Sequence, residues 1–292
     1  MQSNNPIFRR SEEFNRPSAN AYGNQTYPGA GGGYAGYGQQ TADPSTWGTG
    51  MPGEPGTVPG QVDQGRMTID SVVQKSAMSL FVVIAAAAAT WIMTPDMGEG
   101  NASGLYLALM IGSFGAFGLS MVNSFKKVIS PALVIAFAAL EGVALGAFSK
   151  VIPAAAGVSN DIVVQAVIGT FAAFAGTLAA YKFFNIQVGD RFRTFVVAAM
   201  FGMVALGLLE MVLGFFGNQI GFFGFGGIGL LFAVGGLVLG VFMLILDFDF
   251  VEKGIAAGLP ERESWRAAFA LTVSLVWIYT NLLRILAIFQ QD

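Results

Sequence analysis

Seven long apolar stretches succeed one another along the second part of the chain, at 76–93, 104–122, 129–149, 162–184, 194–216, 228–246 and 267–289. Polar residues fall almost entirely between them. Each stretch approaches or reaches the ~20 residues that cross a hydrocarbon core of about 30 Å as an α-helix. Only helices or closed barrels can satisfy their backbone groups in lipid, and runs of this length are helical. The pattern predicts an all-α integral membrane protein, a bundle of seven transmembrane helices over residues 66–292. Thr68 is an expected N-cap for the first helix, with Asp70 in its first turn, and the last is entered from Pro260 with Glu261 and Glu263 in its first turn.

Small residues mark where helices can approach. Ala138, Gly142 and Gly146 repeat at four-residue spacing in the third stretch, Gly207 and Gly214 share a face in the fifth, and Gly235, Gly236 and Gly240 lie in the sixth. Such patterns bring helix backbones together where hydrophobicity supplies no drive between helices. Residues 1–65 differ: they are rich in Gly, Tyr and Pro and have no sustained apolar periodicity, so they are expected to form a disordered cytosolic tail. No signal-peptide hydrophobic region follows Met1, which leaves the first span to act as the insertion signal.

Charge adds orientation. With the N-terminus inside, Lys150 alone among the lysines and arginines lies outside, Arg284 lies within a span, and every other one lies inside. The positive-inside rule then gives an N-in, C-out topology in the cell (inner or plasma) membrane. Composition agrees with the class: 54% of residues are hydrophobic, 11% are charged, and the mean hydropathy is +0.60. The net charge of −3 and the scattered bases do not suggest a nucleic-acid partner. The chain has no Cys and no His, which disfavours zinc hydrolases and serine proteases that need a His base. The seventh span lacks the lysine a retinal Schiff base would need. An enzyme is not expected, nor is a bound cofactor.

Against this apolar background a few ionisable groups stand out. Glu141, Glu210 and Arg284 lie within spans, where a charge costs about 2.5–3.5 kcal/mol, so each is expected to face the interior, pair, or touch water. Counted along the helices, Glu141 lies near the midplane, and Glu210 and Arg284 lie at matching depth. Glu210 and Arg284 are therefore expected to form an interior ion pair, either a strut or a gate latch. On the seventh span Ser274, Trp277, Asn281 and Arg284 fall within one arc, a polar line that either hydrogen-bonds to neighbouring helices or borders a hydrated path. The sixth span ends in LILDFDFVEKG, where Asp247, Asp249 and Glu252 cluster where the helix leaves the core, beside Lys253. These are either solvated loop acids or, for Asp247 and Asp249, oxygen ligands suited to Ca²⁺.

The motifs ISPAL (129–133), ALEG (139–142), LDFDFVEKG (246–254) and ESWRAAFALTVSLVWIYTNLLRIL (263–286) resemble the Bax inhibitor-1 family, the YccA-like proteins with a transmembrane Bax-inhibitor motif. NPIFRR and YGNQTYP in the tail resemble its actinobacterial branch. The resemblance implies a seven-helix bundle and a pH-sensitive Ca²⁺ leak governed by aspartates on the last two spans. Asp247 matches the aspartate of the sixth span and Arg284 the arginine of the terminal LLRIL. The place of the second aspartate falls near Ser274, and the seventh span holds no carboxylate. Asp249 or Glu141 would then substitute, or the pH response would be weaker.

The expected function is a pH-sensitive cation (Ca²⁺) leak channel, with Asp247, Asp249, Glu141, Ser274 and Asn281 as pH sensor and ion pathway. Its expected partners are the lipid bilayer and Ca²⁺ or other cations. The alternative is a non-conducting regulator that binds other membrane proteins, such as a protease or a cell-death modulator.

Overall fold

The computed structural model describes residues 65–95 and 103–291. The tail expected over 1–65 thus lies, except for Gly65, outside the described residues. Seven helices make up the membrane domain: α1 (Ile69–Met93), α2 (Ser103–Phe125), α3 (Pro131–Ala156), α4 (Asp161–Phe183), α5 (Asp190–Phe215), α6 (Gly227–Ala256) and α7 (Glu263–Phe289). All seven are long and apolar enough to cross a membrane. The helices outrun the apolar stretches because their first and last turns carry the polar residues that meet water.

The largest extension is that of α6. Its 30 residues correspond to about 45 Å, half as long again as a hydrocarbon core. This corrects the reading of Asp247, Asp249 and Glu252 as acids at a helix end or in a loop: all three lie inside α6. Asp247 sits nine residues before Ala256, about 14 Å from the helix end.

The most buried helix is α7, which packs against α6, α1, α4 and α3. Next to it, α3 packs closely on α1 and α2, while α5 is the least buried and rests on α6. Successive helices run in opposite directions, so α1, α3, α5 and α7 end on one face of the membrane, called distal here, and begin on the proximal face. Glycine sets the tightest approaches. A Cβ on Gly142 or Gly146 would run into the Val83 or Ala87 carbonyl of α1, and one on Gly236 or Gly240 into Asn281 or Ile278 of α7. The predicted packing faces of α3 and α6 therefore hold at these four positions. Gly235, in contrast, faces open space, and Gly207 and Gly214 face Phe223 and Gln219 of the segment after α5 instead of another helix.

At the proximal end the chain entering α1 is tied to the α6–α7 turn. Met67 N–H donates to the Leu259 carbonyl (2.8 Å) and Glu261 N–H to the Gly65 carbonyl (2.6 Å), beside an antiparallel bridge between Arg66 and Pro260. Lys75 pairs with Glu261 at 2.8 Å, and the Ser71 and Ser264 hydroxyls lie 2.7 Å apart. Thr68 caps α1 as expected, in a capping box with Ser71. Thr68→Ala removes the acceptor for the Ser71 N–H and is expected to cost about 1 kcal/mol, measurable as a lower midpoint in thermal unfolding of the detergent-solubilised protein.

Candidate functional site

Two polar sites are stacked along α7. In the proximal half Ser274, eleven residues into α7, donates its hydroxyl to Oδ2 of Asp247 on α6. Ser274 is fully buried and Asp247 is half-buried. The place at which the resemblance would put a second aspartate is thus occupied by a hydroxyl bonded to the first. A hydroxyl can donate to a carboxylate and accept from a carboxyl, so the contact can persist in either protonation state of Asp247.

Asp249 faces elsewhere. Two residues along a helix is a turn of about 200°, which carries its carboxylate away from α7 and toward α5. It is 3% exposed and accepts from Arg193 Nη2 at 3.0 Å and Lys253 Nζ at 2.8 Å. Glu252 accepts from the Tyr181 hydroxyl of α4 at 2.6 Å. Asp247 and Asp249, the two expected Ca²⁺ ligands, serve different neighbours, and Asp249 already meets two cationic groups. Among the described residues no group of three or more acidic, His or Cys side chains could hold a metal. Arg193 and Lys253 keep about half of their side chains in solvent, so the cluster ties α4, α5 and α6 together at the membrane boundary.

Further along α7 lies a cavity of about 280 Å³. Trp277, Thr280, Asn281 and Arg284 of α7 form one wall, and Glu141, Ala144, Leu145 and Phe148 of α3 form another. Leu109 and Ser113 of α2, Phe232 of α6 and Phe223 of the α5–α6 segment complete it. The predicted polar line of α7 therefore divides: Ser274 reaches Asp247, whereas Trp277, Asn281 and Arg284 border the cavity. Trp277 is held by an Nε1–H bond to the Gly236 carbonyl (2.8 Å), available because Gly236 lets α6 approach so closely. Glu141 lies ten residues into α3, about 15 Å along it, and has no hydrogen bond or ion pair among the described residues.

Glu210 and Arg284 do not form the expected ion pair. Each instead engages the chain that joins α5 to α6. Glu210, 4% exposed, accepts from the backbone N–H of Ile220 (3.0 Å) and of Gly221 (2.8 Å), one to each carboxylate oxygen. Arg284 donates from Nη2 to the carbonyl of Phe222, and its guanidinium lies 5.5 Å from the Phe223 ring centre. The matching depth of the two charges is real, but three consecutive backbone residues stand between them. Non-helical chain within a membrane protein must satisfy its backbone groups, and the two charges do so here. Sequence reasoning missed this segment; its GNQIGFFGFGG composition (217–227), too aromatic for a solvated loop, was the available signal.

No curated protein matches the chain in comparison. A family model described as Bax inhibitor 1 like matches residues 5–291. With seven membrane-spanning helices and a match across nearly its whole length, the chain belongs to the Bax inhibitor 1 like family of membrane proteins.

Proposed function

We propose that the protein is a cation leak channel of the cell membrane, with Ca²⁺ as the favoured substrate and with opening governed by protonation of interior carboxylates. The observation that carries this reading is the cavity, bordered at mid-depth by a Glu141 carboxylate that makes no hydrogen bond or ion pair with any other described residue, with Arg284 on another wall. An acid at that depth is costly unless it faces water or a cation, and the cavity offers room for both. Ser274 of α7, bonded to Asp247 of α6, lies below it, so the polar groups of α7 follow one another along the helix from this contact to the cavity. The lysine and arginine asymmetry supports an N-in orientation, with the distal end outside. Asp247 is the proposed proton sensor and Glu141 the proposed cation contact.

The test is Ca²⁺ flux into liposomes across a pH series. Asp247→Asn reproduces the shape of a protonated carboxyl without its titration, so its flux is expected to be nearly independent of pH, while Asp249→Asn leaves the response in place. Glu141→Gln is expected to reduce flux about tenfold or more at every pH. An Asp247→Asn protein with the parent's pH profile would remove Asp247 from the role. The absence of flux from a folded parent would favour the second reading, a non-conducting regulator of other membrane proteins. That reading draws on α5, whose only buried residues are Val196 and Glu210 and which leaves an apolar surface open along its length.

A further inference from the structure

We propose that the α5–α6 segment is a plug at the distal mouth of the cavity, with Phe223 as its stopper and Glu210 as its latch. The inference rests on the reading of the cavity as a conduction path, but its geometry is independent of which ion passes. Phe223 lines the cavity beside Arg284 and Phe232, at the end of the bundle where α5 stops and α6 starts. Its ring meets Phe232 edge to face at 6.0 Å, and Phe222 stacks on the same Phe232 at 5.2 Å. The tip of the Phe223 ring also closes against α5, 3.2 Å from where a Cβ on Gly207 would stand. The stopper thus touches α5, α6 and α7 on its inner side and leaves 49% of its surface exposed on the outer one.

What holds the wedge in place is polar and comes from two helices. Glu210 of α5 grips the N–H groups of Ile220 and Gly221, and Arg284 of α7 grips the next carbonyl, that of Phe222. Gly221 has φ +99, a conformation that only glycine adopts without strain, and it turns the chain so that both N–H groups meet one carboxylate. The helix that carries the latch is also the least buried in the bundle. An outward shift of α5 would therefore withdraw the acceptor from Ile220 and Gly221 while Arg284 stays in the core, and Phe223 would be free to leave the mouth. Helices with little buried surface are the ones that move at low cost.

The chain has no cysteine, so accessibility can be read one site at a time. Ala144 lines the cavity and is 6% exposed, which makes Ala144→Cys a reporter of entry. A membrane-impermeant thiol reagent is applied to full-length protein in liposomes, from the face that labels Asn218→Cys. The expected result is slow modification of Ala144→Cys alone and acceleration by about tenfold or more when Phe223→Ala or Glu210→Gln is added. Phe223→Leu, which trims the ring but keeps an apolar anchor, gives an intermediate rate and serves if the alanine variant does not fold. Rapid labelling without the added changes, or an unchanged rate in every folded variant, overturns the plug. Accelerated labelling without Ca²⁺ flux in any variant leaves the plug standing and removes the channel reading; parent flux with unchanged labelling does the reverse.

Discussion

Gly142→Leu is expected to prevent the bundle from accumulating in folded form, and Gly142→Ala to lower stability by about 1–3 kcal/mol. The helices leave no alternative placement for a side chain there. A Cβ on Gly142 points at the Val83 carbonyl oxygen and the Ala86 methyl of α1, so even one carbon must push two helix backbones apart. That displacement propagates, because Gly146 makes the same contact with Ala87 one turn further on. Between membrane helices van der Waals packing supplies much of the association, and it decays steeply with separation. Gly176→Ala is the control, since a Cβ there meets nothing within 4 Å. Relief of glycine's entropy should make it neutral or stabilising by about 0.4–1 kcal/mol. Unfolding of purified protein in mixed detergent micelles reads both. Equal stability of Gly142→Ala and the parent would show that α1 and α3 do not meet as described.

The second large effect is expected at Glu210. Glu210→Ala leaves the part-buried Ile220 and Gly221 N–H groups without acceptors and should cost about 1–3 kcal/mol, the cost of about one buried unsatisfied group, because Ile220 is 41% exposed and water can meet its N–H. Glu210→Gln retains one acceptor oxygen and should cost about half as much. The arrangement also predicts the outcome of a double-mutant cycle with Arg284→Met. A direct buried ion pair would couple strongly, since removing one partner strands the other charge at about 3–5 kcal/mol. Here the two side chains act on adjacent peptide groups, so the cycle should return a coupling of roughly 0.5–1.5 kcal/mol, transmitted by the loop backbone. A coupling of several kcal/mol would restore the direct ion pair.

The sites illustrate unequal legibility. The spacing of Ser274, Trp277, Asn281 and Arg284 revealed one face of α7, and the structure puts all four on polar or cavity contacts. Asp247 stood out for its position, and its contact with Ser274 joins the two residues that the family resemblance had singled out separately. The errors came from pairing charges by depth alone. Glu210 and Arg284 share a level in the membrane, yet a sequence does not record which loop folds between two helices. Asp247 and Asp249 are neighbours in the chain, but helical rotation sends them to different partners, and one of the two partners of Asp249, Arg193, comes from a helix earlier in the chain.

Sequence by itself determined the solvent, the number of spans, the helical class and the family, because each of these depends on short-range properties. A span must be apolar along its own length and must satisfy its own backbone, whatever its neighbours do. Tertiary structure alone decided how each helix is rotated, that α6 runs on past its apolar stretch, and that the α5–α6 segment folds in between Glu210 and Arg284. Those outcomes rest on contacts of a few ångströms between residues far apart in the chain, such as Gly236 against Asn281 and Gly142 against Val83. Hydropathy carries no information about them, since lipid and a neighbouring apolar helix present nearly the same environment to a leucine.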